Sequence, residues 1–263
     1  MKSLYQNPKF AKYWNERAGN TGEIYKRLIL DPLMLKTVGS LTDKVILELG
    51  CGNGYLGPMF LTQKPKKLIL MDISKYNLQF AKEKCNDPKI IFLEQDATRK
   101  WRVDSNSIDV VYSNMMLNEV DNIKTPIKET FRVLKKGGIF IFSVTHPSWD
   151  LFIFAQEKAG KKSNKVQGLG NYFRRGFTKF IMGTDSKTNP TLSEKFGKEL
   201  FKELFKVEHY QRPLSDYFNQ LIEIGFSVRK ILEPELTKQL LEESPRFSEY
   251  KDHPVGLIFY AIK

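Results

Sequence analysis

The chain has 263 residues, 41% hydrophobic and 27% charged, and its 42 Lys and Arg against 30 Asp and Glu give a formal net charge of +12. That length suits one large α/β core with an insertion, and no stretch approaches the ~18 consecutive apolar residues of a membrane span. Two cysteines, Cys51 and Cys85, leave no room for a disulfide framework or a cysteine-based metal cluster.

In chain order, the first residues lack the apolar centre of a secretory signal, which predicts a cytoplasmic protein. Residues 8–17 and 23–38 read as helices, the second with Ile24, Leu28, Leu35 and Val38 on one stripe, so residues 1–42 form a helical cap. Residues 45–49 are a nearly all-apolar strand carrying Glu48, which breaks into Gly50-Cys51-Gly52-Asn53-Gly54 and a helix soon after. Such a turn brings backbone N–H groups close to a ligand, and its glycines accept positive φ without a Cβ in the way. A second strand, 67–71, ends at Asp72 and Ile73 before a helix to about residue 85. A third, 90–93, runs into Asp96 and Ala97, and a fourth, 108–112, leaves through Ser113, Asn114, Met115 and Met116. A helix over 125–134 and the turn 135–138 lead to a fifth strand, 139–143. Residues 150–212 are surplus to such a core and predict a lid, with extended pieces at 170–182 and 200–210 joined through a polar turn at 184–190. A helix over 214–224 and strands over 226–232 and 255–262 close the chain, so the core comprises 43–149 and 213–263.

Strand–helix alternation implies a parallel sheet covered on both faces, with ligands at the carboxyl ends of its strands, where Glu48, Asp72, Asp96 and Asn114 all fall. The run Gly52 to Gly57 also fits a dinucleotide fingerprint, with Asp72 about 20 residues on. The turn already opens at Gly50, however, with an acid two residues before it. This arrangement, with the strand-end acids, resembles the class I S-adenosylmethionine-dependent methyltransferases, as does Arg132-Val-Leu-Lys-Lys-Gly-Gly138 before the fifth strand. The resemblance implies a Rossmann-like, doubly wound seven-stranded sheet, mostly parallel, whose last strand inserts antiparallel between the fifth and sixth. It implies S-adenosyl-L-methionine as cofactor, held by Glu48, the turn from Gly50 through Cys51, Gly52 and Asn53 to Gly54, and Asn114 with Met115. Asp72 with Ile73 would take the ribose, Asp96 the adenine amino group, and Ala97 would leave room for the ring. Tyr25 would fold over the cofactor from the cap, while Trp14 is assigned to core packing.

Ser143-Val-Thr-His146-Pro147 and Tyr210-Gln-Arg-Pro-Leu214 are similar to motifs of the small-molecule branch of that family, although Gln211 stands where that branch often has His. On this basis His146 is the candidate base, and Asn118, His146, His209 and Tyr210 are candidate acceptor contacts, with Glu119 beside Asn118. The N-P-P-[YF] signature of amide and amine methylases is replaced by Asn114-Met-Met-Leu117. The expected acceptor is a small molecule methylated on N or O. RNA is the alternative, since basic residues cluster at 158–165 and at Arg174, Arg175 and Lys179 among Tyr172, Phe173 and Phe177. A nicotinamide-dependent oxidoreductase and a silent cofactor-binding regulator are weaker readings. No metal is expected, and the oligomeric state is left open.

Overall fold

Alternation along the strands builds both the core and the site. In β1 (Val45–Leu49), Ile46 joins one core cluster and Leu47 and Leu49 the other, so Glu48 shares the face of Ile46. In β2 (Lys67–Asp72), Asp72 shares the face of Leu68 and Leu70, and in β4 (Ile108–Asn114), Asn114 shares that of Val110 and Tyr112. Three polar strand ends therefore turn to one side of the sheet. The computed structural model describes residues 4–149, 172–181 and 206–263.

With β3 (Ile90–Glu94), β5 (Leu134–Thr145), β8 (Ser227–Leu232) and β9 (Gly256–Ile262), the strands form one sheet in the order β3-β2-β1-β4-β5-β9-β8. Pairing is parallel from β3 to β5, while β9 runs antiparallel to both β5 and β8, as the resemblance implies. Strand order reverses between β1 and β4, the crevice where open α/β sheets bind ligands.

Tyr25, Leu30 and Met34 of the N-terminal cap cover the face carrying the three polar ends, with Phe60 of α3 (Gly57–Thr62) and Leu78 of α4 (Lys75–Lys84). The cap itself comprises α1 (Pro8–Ala18) and α2 (Asp31–Val38). Ile127 and Val133 of α5 (Lys124–Val133), Leu221 of α6 (Leu214–Ile224), Trp101 and Phe226 cover the opposite face.

Two local expectations are corrected. The turn read at 135–138 belongs to β5, because Gly137 N–H donates to the Lys263 carbonyl (2.9 Å) and Lys263 N–H to that of Gly138 (3.0 Å). The helix read over 23–38 is interrupted by a π turn, Lys26–Leu30, just before Pro32, which has no N–H for the carbonyl four residues back. Between β8 and β9, where the sequence shows no clear element, α7 (Lys238–Glu243) and a 3-10 turn, Pro245–Tyr250, stack Phe247 on Tyr25 with ring centroids 5.8 Å apart.

From the insertion, β6 (Gly176–Ile181) and β7 (Lys206–Gln211) pair antiparallel, Gly176 opposite Gln211. The polar turn at 184–190 and the basic run at 158–165 lie outside the described residues. Arg212 anchors the exit of β7. Its buried guanidinium donates to the carbonyls of Leu117 (2.9 Å), Val120 (2.5 Å) and Asp121 (3.1 Å) and lies over the rings of Tyr210 (4.4 Å) and Tyr217 (5.2 Å). The Tyr-x-Arg stretch is thus a fastening between the lid and the loop after β4.

Candidate active site

The glycine turn is shaped from within. Gly50 and Cys51 both donate their N–H to the Met71 carbonyl (2.8 and 3.0 Å), Gly52 donates to Asp72 Oδ2 (2.8 Å), and Gly54 to the Cys51 carbonyl (3.0 Å). The N–H groups of Gly50, Cys51, Gly52 and Gly54 are thus satisfied within the protein, three of them by the end of β2, as buried backbone requires. Gly54, at φ +72°, admits no Cβ because Ala81 Cβ of α4 would stand 2.6 Å away. Gly52, at φ +54°, is different. A Cβ there would meet only Trp14 Nε1, at 3.8 Å, so this is the open wall of the turn. Trp14, assigned to core packing by sequence, overlooks that wall, whereas Tyr25, expected there, is buried against Phe247. The π turn and the 3-10 turn after α7 decide this exchange.

Asn53 also braces the cap, while its Oδ1 is buried without a partner. Its amide donates to Asn15 Oδ1 (2.9 Å) and the Gly19 carbonyl (3.0 Å), which pins the end of α1, and Lys84 shares the Asn15 oxygen (2.6 Å). Cys51 is buried and its thiol pushed well up by that burial, so it is an unreactive wall.

Asp72 holds the turn as well as facing the crevice. Its Oδ1 accepts from Ser74 N–H (2.8 Å) and Asn77 Nδ2 (3.4 Å), its Oδ2 from Gly52 N–H, and burial raises its pKa. A carboxylate offers about four acceptor positions, so the two-hydroxyl ribose grip expected of Asp72 is corrected to a shared role. Ile73, beside it, is half-buried, and Gln95 N–H donates to the Asp72 carbonyl (2.9 Å), which brings the exits of β2 and β3 together. Asp96 Oδ1 accepts from the N–H (2.8 Å) and hydroxyl (2.7 Å) of Thr98, and the carbonyl of Ala97 accepts from Trp101 Nε1 (3.0 Å).

Asn114 is fixed at both ends: its Oδ1 accepts from Ser143 Oγ (2.7 Å), its neighbour across β5, and its Nδ2 donates to Asp31 Oδ1. Met115 follows at φ +58°, a conformation costing a side chain roughly 1–3 kcal/mol. Its N–H is held by Ser143 Oγ and carbonyl, both at 3.1 Å. Asp31 also accepts from the Tyr55 hydroxyl (3.1 Å) and is almost fully buried. Sequence reasoning missed it because Asp31 falls inside the stretch 23–38 read as one helix, away from the strand ends.

Glu48, Asp31 and Asp72 thus surround one crevice. Glu48 Oε2 is buried with no hydrogen-bond partner, and burial, then Asp31, push its carboxyl well above the ordinary range. Asp31 is pushed up to about 6 by burial, against the pull of Lys26, Tyr55 and Asn114. The native state holds that proton more tightly than the unfolded chain, so this contribution is complete below pH 4 or so and is lost as pH rises through about 6. Relative to wild type, Asp31→Asn should therefore gain up to roughly 3 kcal/mol between pH 4 and pH 7. Urea unfolding at both pH values checks this, and an unchanged gap would count against a protonated Asp31.

On the acceptor side, Glu119 joins three elements. It accepts from Asn118 Nδ2 (2.9 Å), pairs with His209 Nε2 of β7 (2.8 Å) and bonds the Tyr5 hydroxyl of the N-terminal segment. Burial, then Glu119 and Asp72, hold that hydroxyl well above its ordinary pKa. Asn118 Oδ1 is buried without a partner. His146 stands apart from this group. Ser148 N–H donates to its Nδ1 (3.1 Å), which leaves the proton on Nε2, 2.8 Å from Glu233 Oε1. That pair braces the ends of β5 and β8, so both ring nitrogens of His146 are engaged by the fold. Tyr210 lies under Arg212, edge-on to Phe177 at 5.1 Å. Among the described residues no group of three or more His, Cys, Asp or Glu could hold a metal, and no helix is long and apolar enough to cross a membrane.

Residues 47–142 match the family described as Methyltransferase domain. An uncharacterized protein of Haemophilus influenzae is 24% identical over 98% of this chain and 95% of its own length. Demethylmenaquinone methyltransferase of Lactococcus lactis is 29% identical over 70% of this chain and 76% of its own length. For tRNA U34 carboxymethyltransferase of Helicobacter pylori the identity is 26%, over 72% and 80%. In fold, an S-adenosylmethionine-dependent methyltransferase of Mesorhizobium loti superposes with a TM-score of 0.70 at 20% identity, covering 93% of this chain and 100% of its own.

Proposed function

We propose that this chain is a class I S-adenosylmethionine-dependent methyltransferase and that it methylates an N or O atom of a small molecule held between the N-terminal cap and β7. The crevice suits the cofactor: Gly52 leaves an open wall, Glu48 Oε2 awaits a donor, and three acids favour a ligand carrying ammonium and sulfonium charges. When bound, S-adenosylmethionine supplies an electrophilic methyl group on sulfur. The protein's part is to orient both reactants and exclude water. Glu48, Asp72 and Asp96 accept hydrogen bonds from the cofactor, and Asn114 and Met115 form a rigid edge beside it.

The observation that carries the small-molecule reading is the Glu119 junction. A carboxylate shared by Tyr5, Asn118 and His209 ties the N-terminal segment, the loop after β4 and β7 to one point beside the strand ends, a polar frame that suits a small acceptor. Glu119 with His209 would receive a proton from an acceptor that must lose one. RNA remains the second reading, on the net charge of +12 and the similarity to a tRNA-modifying enzyme. Against it, Arg175 is committed to Asp216 by two bonds of 2.6 and 2.7 Å.

Calorimetry should find S-adenosylmethionine or S-adenosylhomocysteine binding in the micromolar range and NAD not binding; binding of NAD alone would sink the cofactor reading. Glu119→Ala should lower turnover roughly 100-fold, the scale of acid–base assistance, while leaving cofactor affinity nearly unchanged. Binding of bulk tRNA that survives physiological salt would overturn the small-molecule acceptor, since purely electrostatic binding collapses there.

A further inference from the structure

We infer that Lys26, an N-terminal cap residue outside the strand-end motifs, takes the carboxylate of the cofactor's amino-acid part. This rests on the cofactor reading above and adds the group that reads the ligand's negative end. The π turn Lys26–Leu30 begins at this residue, and π turns often sit at functional sites. The half-buried ammonium donates to the Asn114 carbonyl at 3.3 Å and stands 5.9 Å from the centroid of the Trp14 ring. Asn114 ends β4 and Trp14 overlooks Gly52, so Lys26 spans the two walls of the crevice.

Its bonding is incomplete. An ammonium has three donors, yet among the described residues Lys26 makes one hydrogen bond, a long one, and no ion pair within 4.0 Å, although Asp31, Glu48 and Glu23 lie near enough to feel its charge. A half-buried lysine beside three acids that it does not touch is poised for another anion. S-adenosylmethionine carries one anionic group, the carboxylate, beside an ammonium and a sulfonium. Acids on the crevice floor and a lone lysine at its rim mirror that charge order. Trp14, under the ammonium, adds a face that favours a cation held there.

The test compares two probes on the full chain by calorimetry: S-adenosylhomocysteine, which has the amino-acid part, and 5′-methylthioadenosine, which lacks it. Lys26→Met keeps most of the stem and removes the charge. It should weaken S-adenosylhomocysteine roughly 10- to 100-fold, the scale of a charge-assisted hydrogen bond, and leave 5′-methylthioadenosine within about twofold. Lys26→Arg should restore most of the loss. Lys26→Gln serves the same comparison if the Met variant does not fold. Equal weakening of both probes, or unchanged S-adenosylhomocysteine binding, would overturn the inference alone. A wild-type chain that binds neither probe would bring down the cofactor reading and this inference with it.

Discussion

Asp72→Ala should weaken S-adenosylmethionine binding roughly 30- to 1000-fold, about 2–4 kcal/mol, and should also lower the unfolding midpoint. A residue that only met the ligand would leave the fold unchanged. Asp72 does more, because Gly52 N–H, Ser74 N–H and Asn77 Nδ2 all converge on its carboxylate. Removing it strands buried donors in the glycine turn and at the start of α4 together. Asp72→Asn should rescue little, since whichever way its amide turns, its nitrogen meets either the Gly52 or the Ser74 N–H donor to donor. Calorimetry and thermal unfolding of the same variants separate the two effects. A folded Asp72→Ala with the wild-type dissociation constant would remove Asp72 from the site.

Arg212→Ala should destabilise the protein by roughly 1–3 kcal/mol, because it leaves the buried Leu117 carbonyl and the part-buried Val120 carbonyl without their donor. The carbonyls of Leu117, Val120 and Asp121 all accept from this guanidinium, which also lies against the rings of Tyr210 and Tyr217. Arg212→Lys should recover little, since a compact ammonium cannot span three carbonyls in a planar fork. The loop bearing Asn118 and Glu119 would lose its fastening to β7. Turnover should therefore fall further than cofactor affinity. Urea unfolding and calorimetry check both halves, and a variant as stable as wild type would show that the fastening is dispensable.

Much of the sheet was legible in the sequence because each strand signals itself locally. Val45–Leu49 and Lys67–Asp72 are apolar runs cut off by Gly or Asp, and period-two alternation puts Glu48, Asp72 and Asn114 on one face without long-range information. The antiparallel place of the last strand between the fifth and sixth came from resemblance to a known family, and the pairings agree with it.

The site was less legible, because hydrogen bonding between distant residues assigns its roles. His146 and His209 look alike in sequence. One is held by Ser148 and Glu233, 87 positions away, and the other faces Glu119. Tyr25 and Trp14 exchanged places because Phe247, in a stretch with no clear pattern, stacks on the tyrosine. Asn53, read as a ligand contact, also holds Asn15 and Gly19 through its Nδ2. By itself the sequence determined the strands, the glycine turn and the acids at the strand ends, since apolar periodicity and backbone freedom act over a few neighbouring residues. Only the tertiary structure decided which polar side chains are free for a ligand and which are consumed by the fold, because a buried donor or acceptor must find its partner wherever in the chain that partner lies.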